Sequence, residues 1–255
     1  MKFATWNVNS LKVRLPHVLD WLEKNPVEVL CLQETKQQDA DFPAAELLAA
    51  GYHTAFSGQK TYNGVAILSR EPLKEVQVGI PNFADEQKRV IAATINGIRV
   101  VCVYVPNGEA VDSDKYYYKL GWLSALRDWL REELLRYPKL VLLGDYNIAP
   151  EDRDVHDPIL WQGNVLVSEA ERIQYQHLIK LGLHDSFRLF EQADKFFTWW
   201  DYRMMAFRRN HGVRIDHILI SDPLVVACTS CVIDREPRKR ERPSDHTPVV
   251  AELAV

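Results

Sequence analysis

The chain has 255 residues, 47% of them hydrophobic, so it can bury a large core, and nothing in that length requires more than one domain, 1–255. Thirty-one Lys and Arg against 35 Asp and Glu leave a net charge of −4, which excludes a uniformly basic nucleic-acid binder, so any hold on phosphates must come from local basic patches or bound metal. No run reaches the roughly 18 to 20 apolar residues needed to span a bilayer as a helix.

Taken in chain order, FATWNV reads as a first strand with no signal-peptide pattern around it, and a helix is predicted over Leu11 to Lys24. VEVLCLQ is the next strand, Ala44 to Ala50 a short helix, and GVAILS, RVIAATI and RVVCVYV three further strands. Asp114 to Arg136 is a long helix packed by one face, because Leu120, Leu123, Leu126, Leu130 and Leu134 recur at threes and fours. KLVLLGDYN is a strand, and a fourth helix runs from Ser168 to Leu181, with Ser168 and Glu171 spaced as a capping box. RIDHILI, VVACTSCVI and PVVAELAV complete the strands. Loops rich in Pro, Gly, Asp and Arg fill 106–114, 148–167, 200–212 and 234–246. The pattern suits two packed sheets with helices outside, a four-layered α/β sandwich, and also an ordinary doubly wound sheet.

Cys31 and Cys102 sit in apolar runs as small core hydrophobes, and the Cys228/Cys231 pair lies in an extended segment with no second pair, which favours strand cysteines over a zinc or redox site. So few cysteines suit a reducing compartment, and the expectation is a cytoplasmic, monomeric protein with no membrane and no obligate protein partner.

Several strands end in an acid, an amide or a phenol where the chain should leave the sheet: Asn7 and Asn9, Glu34, Tyr104 and Asn107, Asp145 and Asn147, with Asp216 inside a strand and Asp245 and His246 before the last one. Each alone is an ordinary turn former or cap. Together they form a hard-cation site with acid/base machinery. Carboxylate and amide oxygens without cysteine suit Mg2+ or Mn2+ rather than zinc. Glu34 and Asp245, with Asn7 nearby, are the predicted ligands, and a second ion nearer Asp145 and Asn147 is equally compatible. Asp216 reads as the orienter of the His246 imidazole, and Asp145 as the group that polarises a water positioned by Asn147.

Two basic segments flank this chemistry. Tyr202, Arg203, Phe207, Arg208, Arg209, His211 and Arg214, preceded by Trp199 and Trp200, match phosphate tracking and base stacking. Arg235, Arg238, Lys239, Arg240 and Arg242 are diluted by Glu236 and Glu241 and read equally as a solvated turn.

The motifs WNVNS, LCLQETK, GQKTYNGVAI, YVPNG, GDYNIAP, TWWDYR, HGVRIDHIL and RPSDHTP, in this order, resemble the exonuclease III family of abasic-site (AP) endonucleases, within the endonuclease/exonuclease/phosphatase superfamily. The resemblance implies a DNase-I-like α/β sandwich of two mixed sheets. It implies Tyr104, Asn107, Asp145, Asn147, Asp216 and His246 as catalytic and Asn7, Glu34, Asp145, Asn147 and Asp245 around magnesium, while Lys60, Asn63, Trp199, Trp200, Arg203, Arg208 and Arg209 are the residues expected at DNA. The implied substrate is double-stranded DNA with abasic sites or damaged or recessed 3′ ends. Leu166 falls where many relatives have a small residue beside the sugar pocket, so strong 3′-end processing and weaker abasic incision are expected. A phosphatase or phosphodiesterase acting on a non-DNA substrate is the main rival, disfavoured by the basic and aromatic segment. A silent DNA-binding module is the second, disfavoured because acids in a DNA cleft lower affinity unless metal neutralises them.

Overall fold

Val, Ile and Leu runs form strands because branched side chains fit a pleated, half-buried surface. In the computed structural model, which describes residues 1–255, the strands are β1 (Lys2–Asn7), β2 (Val29–Gln33), β3 (His53–Ser57), β4 (Val65–Ser69), β5 (Lys74–Val78), β6 (Val90–Ile95), β7 (Ile98–Tyr104), β8 (Leu140–Asp145), β9 (Leu183–Asp185), β10 (Asp216–Ser221), β11 (Cys228–Ile233) and β12 (Val249–Leu253). They build two six-stranded mixed sheets, β11-β12-β1-β2-β4-β3 and β5-β6-β7-β8-β10-β9. Each has one parallel pair, β1 with β2 and β7 with β8. The helices are α1 (Leu11–Lys24), α2 (Ala44–Ala49), α3 (Asp114–Arg136), α4 (Pro158–Trp161), α5 (Glu169–Ile179), α6 (Ala206–Arg209) and α7 (Asp222–Val225); none is long and apolar enough to cross a membrane.

The expected four layers follow. Between the sheets, Phe3, Cys31, Val65 and Ile67 pack on Val100, Cys102, Val141, Leu143 and Ile218. Val18, Trp21 and Leu22 of α1 cover the outer face of the first sheet. Trp122, Leu123, Leu126, Trp129 and Leu130 of α3, with Tyr175 and Leu178 of α5, cover the second. Each fully buried aliphatic side chain contributes about 1.5 to 3 kcal/mol. The α5 capping box forms as expected, Ser168 accepting from the Glu171 amide and Glu171 from that of Ser168. All four cysteines are free, with Cys228 and Cys231 in β11.

Three strands escaped the sequence reading, β3, β5 and β9, and all three are sheet edges. An edge strand needs less apolar surface, as the mostly exposed KEVQV of β5 shows. Arg214 also differs from expectation: it is fully buried, not part of a basic surface. Its guanidinium donates to Asp154 (2.6 Å) and Asp185 (2.8 Å), and to Nδ1 of His217 (3.0 Å).

Accepting from Arg214 on Nδ1, the His217 ring carries its proton on Nε2 and donates it to the Ile148 carbonyl oxygen at 2.9 Å. Burial first, then the Arg214 charge, pushes His217 from 6.5 down to about 4. Between those values the unfolded chain takes up a proton that the folded one refuses, so stability falls as pH falls through that window. His217→Gln, which can keep both hydrogen bonds, should spare about 2 kcal/mol of the stability lost between pH 7 and 5, read from urea midpoints. Parallel decline of the two proteins would contradict this assignment.

Candidate active site

Strand alternation places the functional side chains. Inward positions on β7 are Val100, Cys102 and Tyr104; on β8 Val141, Leu143 and Asp145; on β10 Ile220, Ile218 and Asp216. On β1 they run Phe3, Thr5, Asn7. The apolar filling between the sheets therefore gives way at one rim to Asn7, Tyr104, Asp145 and Asp216. Register brings them together, since Asp145 lies opposite both Tyr104 and Asp216. Glu34 follows the last residue of β2, where alternation alone would turn it outward; its left-handed backbone, φ 52°, re-aims it.

The Asn7 Nδ2 group donates to Glu34 Oε1 and to Asp145 Oδ2, both at 2.8 Å, and so joins carboxylates of the two sheets. Asp145 Oδ1 accepts from the Asn147 backbone at 2.9 Å. The Asn147 side chain donates to the Val105 carbonyl (3.0 Å) and accepts from Asn107 Nδ2 (3.1 Å), leaving one acceptor lone pair for a water. His246, just before β12, has Nδ1 2.8 Å from Asp216 Oδ2 and Nε2 3.7 Å from Asp145 Oδ2.

These contacts set the charges. Burial works to lower the pKa of His246, but the Asp216 and Asp145 carboxylates outweigh it and raise the ring to about 10. Burial pushes Asp145 up to about 7, against the pull of His246, with Asp216 adding to the rise. Tyr104 is held well above its usual range, by burial and then by Glu34 and Asp145, and stays a hydrogen-bond donor. Ligand-type atoms of Glu34, Asp145 and His246 lie within 4.8 Å of one another; the two carboxylates can hold a metal ion, while His246, protonated, stands beside them as a cation. Asp245, a predicted ligand, stands outside that group. Its carboxylate accepts from Asn9 Nδ2 and from Trp199 Nε1, both at 3.0 Å, and against the effect of burial these bonds and His246 hold it below the usual carboxylate range.

The expected DNA surface needs revision. Trp200 is fully buried with Phe197 and Ala206, so it has no free face for a base, while Trp199 is half-buried. Asn63 is buried, its amide donating to Gln59 and Gln87, which makes it a brace within the fold. Lys60, Arg203, Arg208 and Arg209 are exposed, and Arg203 is paired with Asp201. In the second basic segment Arg238 is buried against Trp200, Tyr202 and Phe207, and donates to the Ser244 and Trp200 carbonyls. Arg240 pairs with Asp20 and Lys239 with Glu236, so this segment supports the neighbouring loops.

Leu166 is 4% exposed and packs with Ala149, Val155, Val213 and Ile215, with Trp199 against the same group. Lys36 was missed: it pairs with Glu34 at 2.9 Å and donates to Asn9, which the sequence reading noted only as a strand-end amide. Its place two residues after the glutamate in QETK was the available signal.

Two sheets meeting at a rim of carboxylates, amides and a carboxylate-held histidine define a hydrolytic site of the metal-assisted class. The chain belongs to the Endonuclease/Exonuclease/phosphatase family, whose pattern matches residues 4–246. It is 37% identical to the exodeoxyribonuclease III of Haemophilus influenzae, over 99% of this chain and all of that protein. The 3′ phosphatase NExo from Neisseria, solved as a point variant bound to a product DNA hairpin, superposes with a TM-score of 0.98 at 51% identity over 99% of each chain. An AP endonuclease from Archaeoglobus fulgidus superposes at 0.96 with 42% identity over the full length of both.

Proposed function

We propose that the chain, acting as one domain over residues 1–255, is a magnesium-dependent DNA repair nuclease, a phosphodiester hydrolase that processes damaged 3′ ends and digests 3′ to 5′, with abasic-site incision as a lesser activity. The observation that carries this reading is one buried rim joining two carboxylates, Glu34 and Asp145, to a His246 imidazolium held by Asp216. The relatives' 3′-processing and AP endonuclease activities support it.

The donor set fits a hard cation: Glu34 and Asp145 supply carboxylate oxygens, the Asn7 NH2 group that donates to both is not itself a ligand, and no cysteine is among the donors. Mg2+ held there would neutralise a phosphoryl oxygen and clamp the scissile group. Asp145 then takes a proton from the attacking water, which the spare Asn147 lone pair aligns. The His246 imidazolium lies where the negative charge of the pentacovalent state grows, and Asp216 keeps its proton in place. Tyr104 and Asn107 donate to the phosphate oxygens. Lys60, Arg203, Arg208, Arg209 and Trp199 face the DNA backbone. The four free cysteines suit the cytoplasm.

Leu166 sets the balance of activities. Its side chain fills the apolar group beside Trp199, so a flipped abasic sugar meets a closed wall while a strand end does not. Leucine there has a left-handed φ of 79°, which glycine adopts freely.

Two end-labelled duplexes test these claims, one with an internal abasic analogue and one with a 3′-phosphate at a nick. Cleavage should require magnesium, stop with EDTA, and fall by about a hundred- to ten-thousandfold in Asp145→Ala and His246→Ala. If the wild type leaves both duplexes intact, the substrate is not DNA. Leu166→Gly should raise abasic incision relative to 3′-phosphate removal; an unchanged ratio rules out the plug.

A further inference from the structure

Lys119 is fully buried on α3, and the site as described makes no use of it. Its ammonium donates to the Asn107 carbonyl oxygen (3.0 Å), to the Asn147 carbonyl oxygen (2.6 Å) and to Glu171 Oε1. Glu171, equally buried on α5, accepts on Oε1 also from the Leu166 amide (3.0 Å), and on Oε2 from the amide (3.1 Å) and hydroxyl (2.6 Å) of Ser168. Three loops that are separate in sequence thus meet on one ion pair: those after β7 and after β8, and the one before α5.

We infer that the Lys119–Glu171 pair is a positioning device that holds the site asparagines Asn107 and Asn147 and the Leu166 loop in one fixed relation, so that reaction geometry and substrate choice are set together. Stability does not account for it, because replacing a buried ion pair with apolar residues of similar volume is often neutral or stabilising. Helix capping does not account for it either, since a capping box needs only the Ser168 half of these bonds. What the pair adds is constraint. Fixing the carbonyls of residues 107 and 147 fixes their peptide planes. The Asn147 amide binds Asp145 Oδ1 and its side chain binds Asn107, so a shift of either plane reaches the carboxylate that handles the water. Leu166 is pinned from both sides, its amide on Glu171 and its carbonyl accepting from Ala149 at 2.8 Å, and these bonds hold it in its left-handed backbone.

The test compares Lys119→Met/Glu171→Gln, which removes both charges at similar volume and keeps a cap for Ser168, with Lys119→Arg, which keeps the charge. The double variant should lose about tenfold or more in kcat with little change in KM, as expected for a small misplacement of reacting groups. Its ratio of abasic incision to 3′-phosphate removal should shift, its Asn107 and Asn147 side-chain amide signals should move in NMR, and the Leu166 amide should exchange faster. Lys119→Arg should recover most of these readouts. The inference is overturned if the double variant keeps wild-type rates and amide signals, or if kcat falls while the ratio and the amide signals stay put. Its activity arm rests on the proposed nuclease reading; should the wild type cut neither duplex, that reading fails while the amide signals still decide this one.

Discussion

The rest of the structure turns on a charge problem. Asp145 and Asp216 face inward between two packed sheets, each about 1% exposed, where an unpaired carboxylate is strongly disfavoured. They are accommodated by groups from the opposite sheet: His246, which enters β12, holds Asp216, and Asn7, which ends β1, holds Asp145. The bonds that join the sheets at this rim are the bonds that prepare the chemistry. The same geometry explains why Asp145, raised by burial and then by Asp216, is pushed up to about 7, and why His246, held against burial by the Asp216 and Asp145 carboxylates, rises to about 10.

That need for positive charge organises the surroundings. Lys36 closes on Glu34 from one side, and Asn9 and Trp199 hold the Asp245 carboxylate on the other. Glu34, Asn147, Asn9 and Lys36 all have left-handed backbones, an unfavourable conformation for most side chains that persists where surrounding bonds enforce it. Behind the rim, the Arg214 network and the Lys119–Glu171 pair anchor the loops after β8 and before α5.

Much of this was legible in the sequence, for a physical reason. Period-two alternation marks the buried strands, and extending it one step beyond the last apolar residue points to Asn7, Tyr104, Asp145 and Asp216. Glu34 was legible only as a strand-end acid, because its direction depends on a backbone turn that alternation does not encode. The failures share a cause: composition does not say whether a charged or aromatic side chain has a partner. Arg214 and Trp200 read as a nucleic-acid surface, and Arg238 as that or a solvated turn; all three are interior groups, their charge or ring satisfied within the fold. Lys119 carried no signal on its helix, and Glu171 read only as the capping-box partner of Ser168. The missed strands β3, β5 and β9 are edges, where burial imposes the weakest pattern.

We propose that Glu34 and Asp145, beside the His246 imidazolium, are the carboxylates that receive a divalent cation. Titration calorimetry of the intact protein with Mn2+, and of Glu34→Gln beside it, tests this most directly. Saturable binding by the wild type that weakens by about tenfold or more in the variant is the predicted result, since a hard cation loses a carboxylate ligand. No binding by the wild type, or equal affinity in the two proteins, would contradict the account.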